Sequence, residues 1–144
     1  MGALARAYPE EPLVSCQVLV REGSHVLLVR RARPPLKGYW ALPGGAVALG
    51  ETVVAAAVRE VQEETGLLVE VSRYLGYRDR VEHDEAGKVR YHYVVHYFEA
   101  QPQAGELQAA DDAADVAWLP VSSLAKVQIT DSVRDCCQWA GIYQ

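Results

Sequence analysis

Three carboxylates, Glu60, Glu63 and Glu64, crowd into the run Arg59-Glu60-Val61-Gln62-Glu63-Glu64-Thr65-Gly66-Leu67. Wound into a helix, they fall within an arc of about 100°. Glu60 and Glu64 then form a like-charge i,i+4 pair, which works against an isolated helix. Two unit charges about 4 Å apart at an effective dielectric near 20 repel by roughly 4 kcal/mol. One reading is an ordinary acidic face on which water screens the repulsion. The other is a divalent-cation site, where the metal removes it. Solvated faces usually interleave Lys or Arg at i+4, yet positions 67 and 68 are both leucine. Arg59 is the one nearby cation, and its side chain is expected to point about 100° away from Glu60. Among divalent cations Mg²⁺ suits the set, with Mn²⁺ as a substitute. It takes hard oxygen ligands and leaves positions for water or substrate phosphates.

Upstream lies Pro43-Gly44-Gly45. A glycine has no Cβ, so the Gly45 carbonyl has room to approach a metal, although a Gly-Gly pair also serves a plain turn. Arg30, Arg31, Arg33 and Lys37 cluster just before this loop. In a strand Arg30 and Arg31 point to opposite faces, so one of them is a candidate for substrate phosphate. Scattered surface charge is the competing reading for each. Tyr39, Trp40, Tyr91 and Tyr93 are candidates for stacking a base, and equally for the core. His83, His92 and His96 lack a metal-ligand spacing of their own and are assigned no role.

The elements that must position these groups are legible in outline. Residues 13–20 and 25–31 read as strands around the turn Arg21-Glu22-Gly23-Ser24. The consecutive prolines of Arg33-Pro34-Pro35-Leu36-Lys37-Gly38 make a loop. Tyr39 to Leu42 form a short strand, stopped by Pro43-Gly44-Gly45. A helix is expected over 51–65, with Val54, Val58, Val61 and Thr65 facing the core and Ala55, Ala56 and Ala57 favouring helix. Gly66 is placed to end it in the left-handed conformation. Strands follow over 67–77 and 89–100, joined by the polar turn 82–88, then a short strand over 115–119. Residues 121–126 and 131–140 read as short helices. The order describes a mixed α/β sandwich.

The chain has 144 residues, half of them apolar and 23% charged, in the range of one soluble globular domain spanning 1–144. Its formal charge of -5 excludes a surface that attracts nucleic acid as a whole. Cys16, Cys136 and Cys137 have neither an even count nor a CxxC spacing, so free thiols are expected rather than a disulfide framework or a zinc site. The N-terminus has no apolar stretch of signal-peptide length, and no run approaches 18 apolar residues. The expected location is the cytoplasm, without membrane contact.

The segment from Gly45 to Leu67 resembles the Nudix box, G-x5-E-x7-R-E-U-x-E-E-x-G-U with U apolar, at every specified position. The flanks Trp40-Ala41-Leu42-Pro43-Gly44-Gly45 and Trp118-Leu119-Pro120-Val121 extend the likeness over most of the chain. The resemblance implies a Nudix-type α/β/α sandwich with a mixed central sheet. It implies divalent-metal binding by Glu60, Glu63 and Glu64, with Gly45 contributing its carbonyl. It implies that Glu51 and Arg59 pair and brace the loop against the helix, while Val61 and Leu67 are core. It also implies hydrolysis of a phosphoanhydride in a nucleotide small molecule. For the general base, Glu60 and Glu64 stand beside a later loop carboxylate, with Asp112 preferred and Asp111 and Glu106 behind it.

The flanks look most like the bacterial ADP-ribose pyrophosphatase-like branch, implying ADP-ribose or a similar nucleoside diphosphate sugar, and a homodimer. Many members of that branch carry a proline about 15 residues beyond the box, whereas Pro102 is the only proline between Leu67 and Trp118 here. Two other readings stay open: a MutT-like nucleoside triphosphate pyrophosphatase, and a non-catalytic domain that senses a nucleotide.

Overall fold

A computed structural model describes residues 6–110 and 113–142. Seven strands and two α-helices follow in the order β1 (Leu13–Glu22), β2 (His25–Arg31), β3 (Trp40–Ala41), β4 (Gly44–Ala46), α1 (Val53–Thr65), β5 (Leu67–His83), β6 (Val89–Gly105) and β7 (Ala113–Pro120). A 3₁₀ helix over Val121–Lys126 and α2 (Asp131–Trp139) close the chain. The main sheet path runs β3-β2-β1-β6-β5, with β4 paired to β1 and β7 to β2. The sheet is mixed, because β1 runs parallel to β6 while its pairings with β2 and β4 are antiparallel.

β1 lies inside and carries apolar residues on both faces, as a strand covered from two sides must. Cys16, Val18 and Val20 pack into a core with Ala56, Ala57 and Val61 of α1. Leu19 packs into a second core with Val133, Cys136 and Cys137 of α2. The sheet is therefore sandwiched between the helices, as expected. No helix among the described residues is long and apolar enough to cross a membrane.

α1 begins two residues later than the sequence suggests. The Thr52 hydroxyl accepts from the Ala55 N–H at 3.1 Å, capping the first turn. Gly66 ends the helix at φ 81°, and its N–H donates to the Gln62 carbonyl. The buried stripe also differs from the expected one. Val61 and Thr65 are buried as expected, but Val54 is 46% exposed, and Ala56, Ala57, Glu60 and Glu64 are buried beside them. Two alanines let the helix lie close to the sheet, which carries Glu60 and Glu64 inward with them. β5 and β6 run past their expected ends at 77 and 100. Strand pairing continues through polar residues where the hairpin is exposed, leaving the turn to the residues between His83 and Val89.

Gly44–Ala46, read from sequence as a strand stop, is itself a strand, with Gly44 opposite Gln17 and Gly45 opposite Cys16. A Cβ on Gly44 would overlap the Cys16 carbonyl and stand 2.7 Å from Gln17 Cα. Only glycine allows β4 this close to β1.

Candidate functional site

The carboxylates of α1 face the glycine strand β4. Glu60 is 2% exposed and Glu64 8%. A Cβ on Gly45 would land in the Glu60 carboxylate, with Oε1 at 2.8 Å. The Gly44 N–H donates to Glu64 Oε1 at 2.7 Å. Two successive glycines therefore meet two carboxylates one helical turn apart: the first supplies a donor, the second the space.

Arg59 ties the loop to the helix. Its Nε donates to Glu51 Oε2 at 2.7 Å and its Nη2 to Glu51 Oε1 at 2.9 Å, a bidentate pair. Nη2 also donates to the Ala46 carbonyl at 3.1 Å. Nη1 reaches Glu60 Oε2 at 3.1 Å and Glu63 Oε1 at 3.3 Å. This corrects the expectation that Arg59 points away from Glu60. Helical angle fixes where Cβ leaves the axis, but a side chain this long bends its guanidinium back over the neighbouring turn.

The electrostatics follow these contacts. The Arg59 guanidinium, aided by the Ala48 N–H, holds the Glu51 carboxyl down at about 2. Arg59 itself is pushed above its ordinary range, chiefly by Glu51. Burial pushes the Glu60 carboxyl up. Burial likewise pushes the Cys16 thiol, which lies against the Gly45 carbonyl, up to about 11.

The donors present are three carboxylates and a backbone carbonyl, all hard oxygen ligands of the kind Mg²⁺-class ions take. The missing Cβ at Gly45 leaves room for the Glu60 carboxylate beside β4. Among the described residues no three His, Cys, Asp or Glu side chains already stand at metal-ligand spacing. The donor chemistry and the glycine cradle fit a hard divalent cation, and Arg59 supplies positive charge at the same carboxylates.

The structure brings Gly45, Glu51, Arg59, Glu60, Glu63 and Glu64 together. Asp112 and Asp111 lie outside the described residues. The loop leading to them is pinned to the end of α1, since the Gln108 N–H donates to the Thr65 carbonyl and the Ala110 N–H to the Glu64 carbonyl. A cleft opens there, lined by Gln62, Glu63, Gly66, Gln108, Ala109 and Ala110.

The other candidates lie on β2 and in the loop after it. Arg30 and Arg33 are exposed, Arg30 within β2 and Arg33 in the loop after it. Arg31 Nε donates to the Pro35 carbonyl at 2.8 Å and so braces that loop. Tyr39 lines a different cleft, with Gln128 and Arg134. The contributions of the Gly44 N–H and the Ala46 carbonyl escaped the sequence reading, because main-chain groups carry no residue-type signal beyond the Gly-Gly pair.

Comparison with known proteins fits this arrangement. A family model described as the NUDIX domain matches residues 11–139. An ADP-ribose pyrophosphatase of Methanocaldococcus jannaschii is 35% identical over 130 residues, 89% of this chain and 75% of that protein. A Mycobacterium tuberculosis protein provisionally named 8-oxo-dGTP diphosphatase 2 is 43% identical over 117 residues, 75% of this chain and 80% of that one. Among solved structures, a MutT NUDIX hydrolase from Burkholderia pseudomallei superposes with a TM-score of 0.77 at 29% identity, covering 90% of this chain and 98% of that chain.

Proposed function

The chain belongs to the Nudix hydrolase family, and on that premise we propose that it cleaves the phosphoanhydride of ADP-ribose or a similar nucleoside diphosphate sugar. The observation that carries the catalytic part is the burial of Glu60 and Glu64, one helical turn apart, against a glycine strand. Carboxylates brought this close together in a buried setting favour positive charge beside them, and their hard oxygens suit a divalent cation. The substrate part rests on the archaeal ADP-ribose pyrophosphatase, whose likeness extends over 89% of the chain.

Nudix hydrolases generally use divalent metal ions, and in this reading Glu60, Glu63, Glu64 and the Gly45 carbonyl hold Mg²⁺, with Mn²⁺ as a substitute. Held by those residues, such an ion would supply charge neutralisation for the diphosphate and lower the pKa of an attacking water. The remaining residues position. Glu51 and Arg59 lock the loop over Ala46 and orient Glu60 and Glu63. The Gly44 N–H fixes one Glu64 oxygen. Asp112, beyond a loop pinned to α1, is the preferred general base, with Glu60 or Glu64 in its place otherwise. Arg30, Arg31 or Arg33 meets substrate phosphate, and Tyr39 offers a face for a base. The setting is one domain over 1–144, cytoplasmic and homodimeric, the last checked by light scattering.

Incubation with ADP-ribose and Mg²⁺, with products separated chromatographically, tests the substrate. AMP and ribose 5-phosphate are the expected products. The 43% identity to the mycobacterial protein favours a second reading, an oxidised purine triphosphate as substrate. Release of pyrophosphate and a monophosphate from 8-oxo-dGTP, with ADP-ribose left intact, would replace the first reading by the second.

A further inference from the structure

Among the described residues, the Gln17 carboxamide oxygen is the buried side-chain polar atom with no hydrogen-bond partner. Buried carbonyl oxygens are nearly always satisfied, so an orphan acceptor marks a place where something else supplies the donor. Gln17 is only half-buried as a residue, so the amide stands at the margin of the core rather than deep within it.

Its position connects it to the carboxylate site. Gln17 pairs in register with Gly44 on one side and Tyr97 on the other. Gly44 is the residue whose N–H holds Glu64. Side chains alternate along β1: Cys16 and Val18 face α1, while Leu19 joins the core beneath α2. Gln17 thus faces the α2 side, on the same side of the sheet as Leu19 and Tyr97. Val95 and Leu42 belong to that core, and Tyr93 packs against it. The amide thus belongs to an apolar and aromatic face of β1, one strand away from β4, against which the α1 carboxylates pack.

A planar carboxamide on such a shelf presents an acceptor and a donor side by side. That pair complements a purine edge, on which a donor N–H stands next to an acceptor, as in glutamine reading of adenine. The terminal torsion of glutamine is broad and two-fold, so a half-turn brings the oxygen outward to an incoming donor. We propose that Gln17 is a specificity-determining residue that reads the purine base of the nucleotide substrate. The inference rests on the nucleotide-hydrolase reading above and adds to it the group that recognises the base. Adenine and 8-oxoguanine share the required chemistry, since each offers a donor beside an acceptor.

The test has two parts. Gln17→Leu keeps approximate size and removes both polar atoms. Its KM for the best-turned-over purine nucleotide should rise about tenfold, the worth of one buried hydrogen bond, with kcat within about threefold. Its Tm should equal or exceed that of the wild type, because an unsatisfied group has been removed. An unchanged KM would overturn the proposal, and a lowered Tm with unchanged KM would reassign Gln17 to a buried-water contact. The second part does not depend on turnover. The side-chain ¹⁵NH₂ pair of Gln17, identified by its loss in Gln17→Leu or Gln17→Ser, is followed by NMR during titration with AMP, 8-oxo-dGMP or ribose 5-phosphate. A shift with one purine nucleotide and none with ribose 5-phosphate is expected, and the responding purine names the base. No shift with either purine, or an equal shift with ribose 5-phosphate, sinks the inference. Absence of hydrolysis alongside a purine-specific shift would sink only the proposed function.

Discussion

Gly44 and Gly45 are adjacent, similar in sequence and both in β4, yet alanine should affect them in opposite ways. At Gly44 the added methyl meets main chain, the Cys16 carbonyl and Gln17 Cα, neither of which can move without parting β4 from β1. Overpacking against a rigid neighbour costs about 3 kcal/mol. For a chain of this size that lowers Tm by about 6–12 °C. At Gly45 the methyl meets the Glu60 carboxylate, the far end of a side chain with rotatable bonds. Glu60 can swing aside at a cost of about 1 kcal/mol, the scale of a rotamer displaced from its minimum. That is a Tm change of about 2–4 °C. The swing displaces a proposed metal ligand by an ångström or more, and misplacement on that scale costs about 100-fold in rate. Differential scanning fluorimetry and initial rates on both variants separate the cases. Gly45→Ala should keep its fold and lose turnover, while Gly44→Ala loses stability first. Near-normal turnover in a folded Gly45→Ala would show that Glu60 need not occupy its observed place, and the site as built would fail.

Two further outcomes follow from the electrostatics. The Glu51 carboxyl sits at about 2, below its unfolded value, so its pairing stabilises the fold above the unfolded carboxylate range and is lost as pH falls toward 2. Acid unfolding of Arg59→Met, followed by circular dichroism, should begin at higher pH than in the wild type, and coincident curves would refute the role of the pair. Burial pushes the Cys16 and Cys137 thiols up to about 11 and raises Cys136 as well. All three are buried, so at pH 8 a thiol reagent should label none of them quickly until denaturant is added, and rapid native labelling would contradict this packing.

Much of this molecule is legible in its sequence because periodicity and box spacing both act locally. The helix ends at Gly66, a left-handed glycine that residue type signals, whereas the Thr52 cap was not read and the expected start fell two residues early. The exposure of Val54 was not legible. Which side of an alanine-rich helix is buried depends on how closely the sheet admits it, and here the tight approach favours Ala56 and Ala57 over the bulkier Val54. β4 was hidden for a similar reason. Gly44-Gly45 has no strand propensity, and its pairing with β1 is set by a long-range contact that only a missing Cβ permits. The end of β5 beyond residue 77, with Arg78, Asp79, Arg80 and Glu82, carries no clear strand signal, yet cross-strand pairing with β6 holds it extended to His83. Within the site, the carboxylates and Arg59 were legible by type and spacing. The reach of the Arg59 guanidinium and the main-chain contacts were not, because neither is encoded in residue identity.

The central claim is that the α1 carboxylates form a cation-dependent hydrolytic site, and Glu64→Gln tests it most directly. The change removes one charge at nearly constant volume and keeps an oxygen for the Gly44 N–H. Metal-stripped wild type and variant are assayed on ADP-ribose and 8-oxo-dGTP across a Mg²⁺ titration. Wild-type turnover should appear only as Mg²⁺ is added, and the folded variant should fall at least about 100-fold below it, on the scale of losing a positioned charged group. Wild-type turnover without divalent cation, or a variant as fast as the wild type, would contradict the assignment.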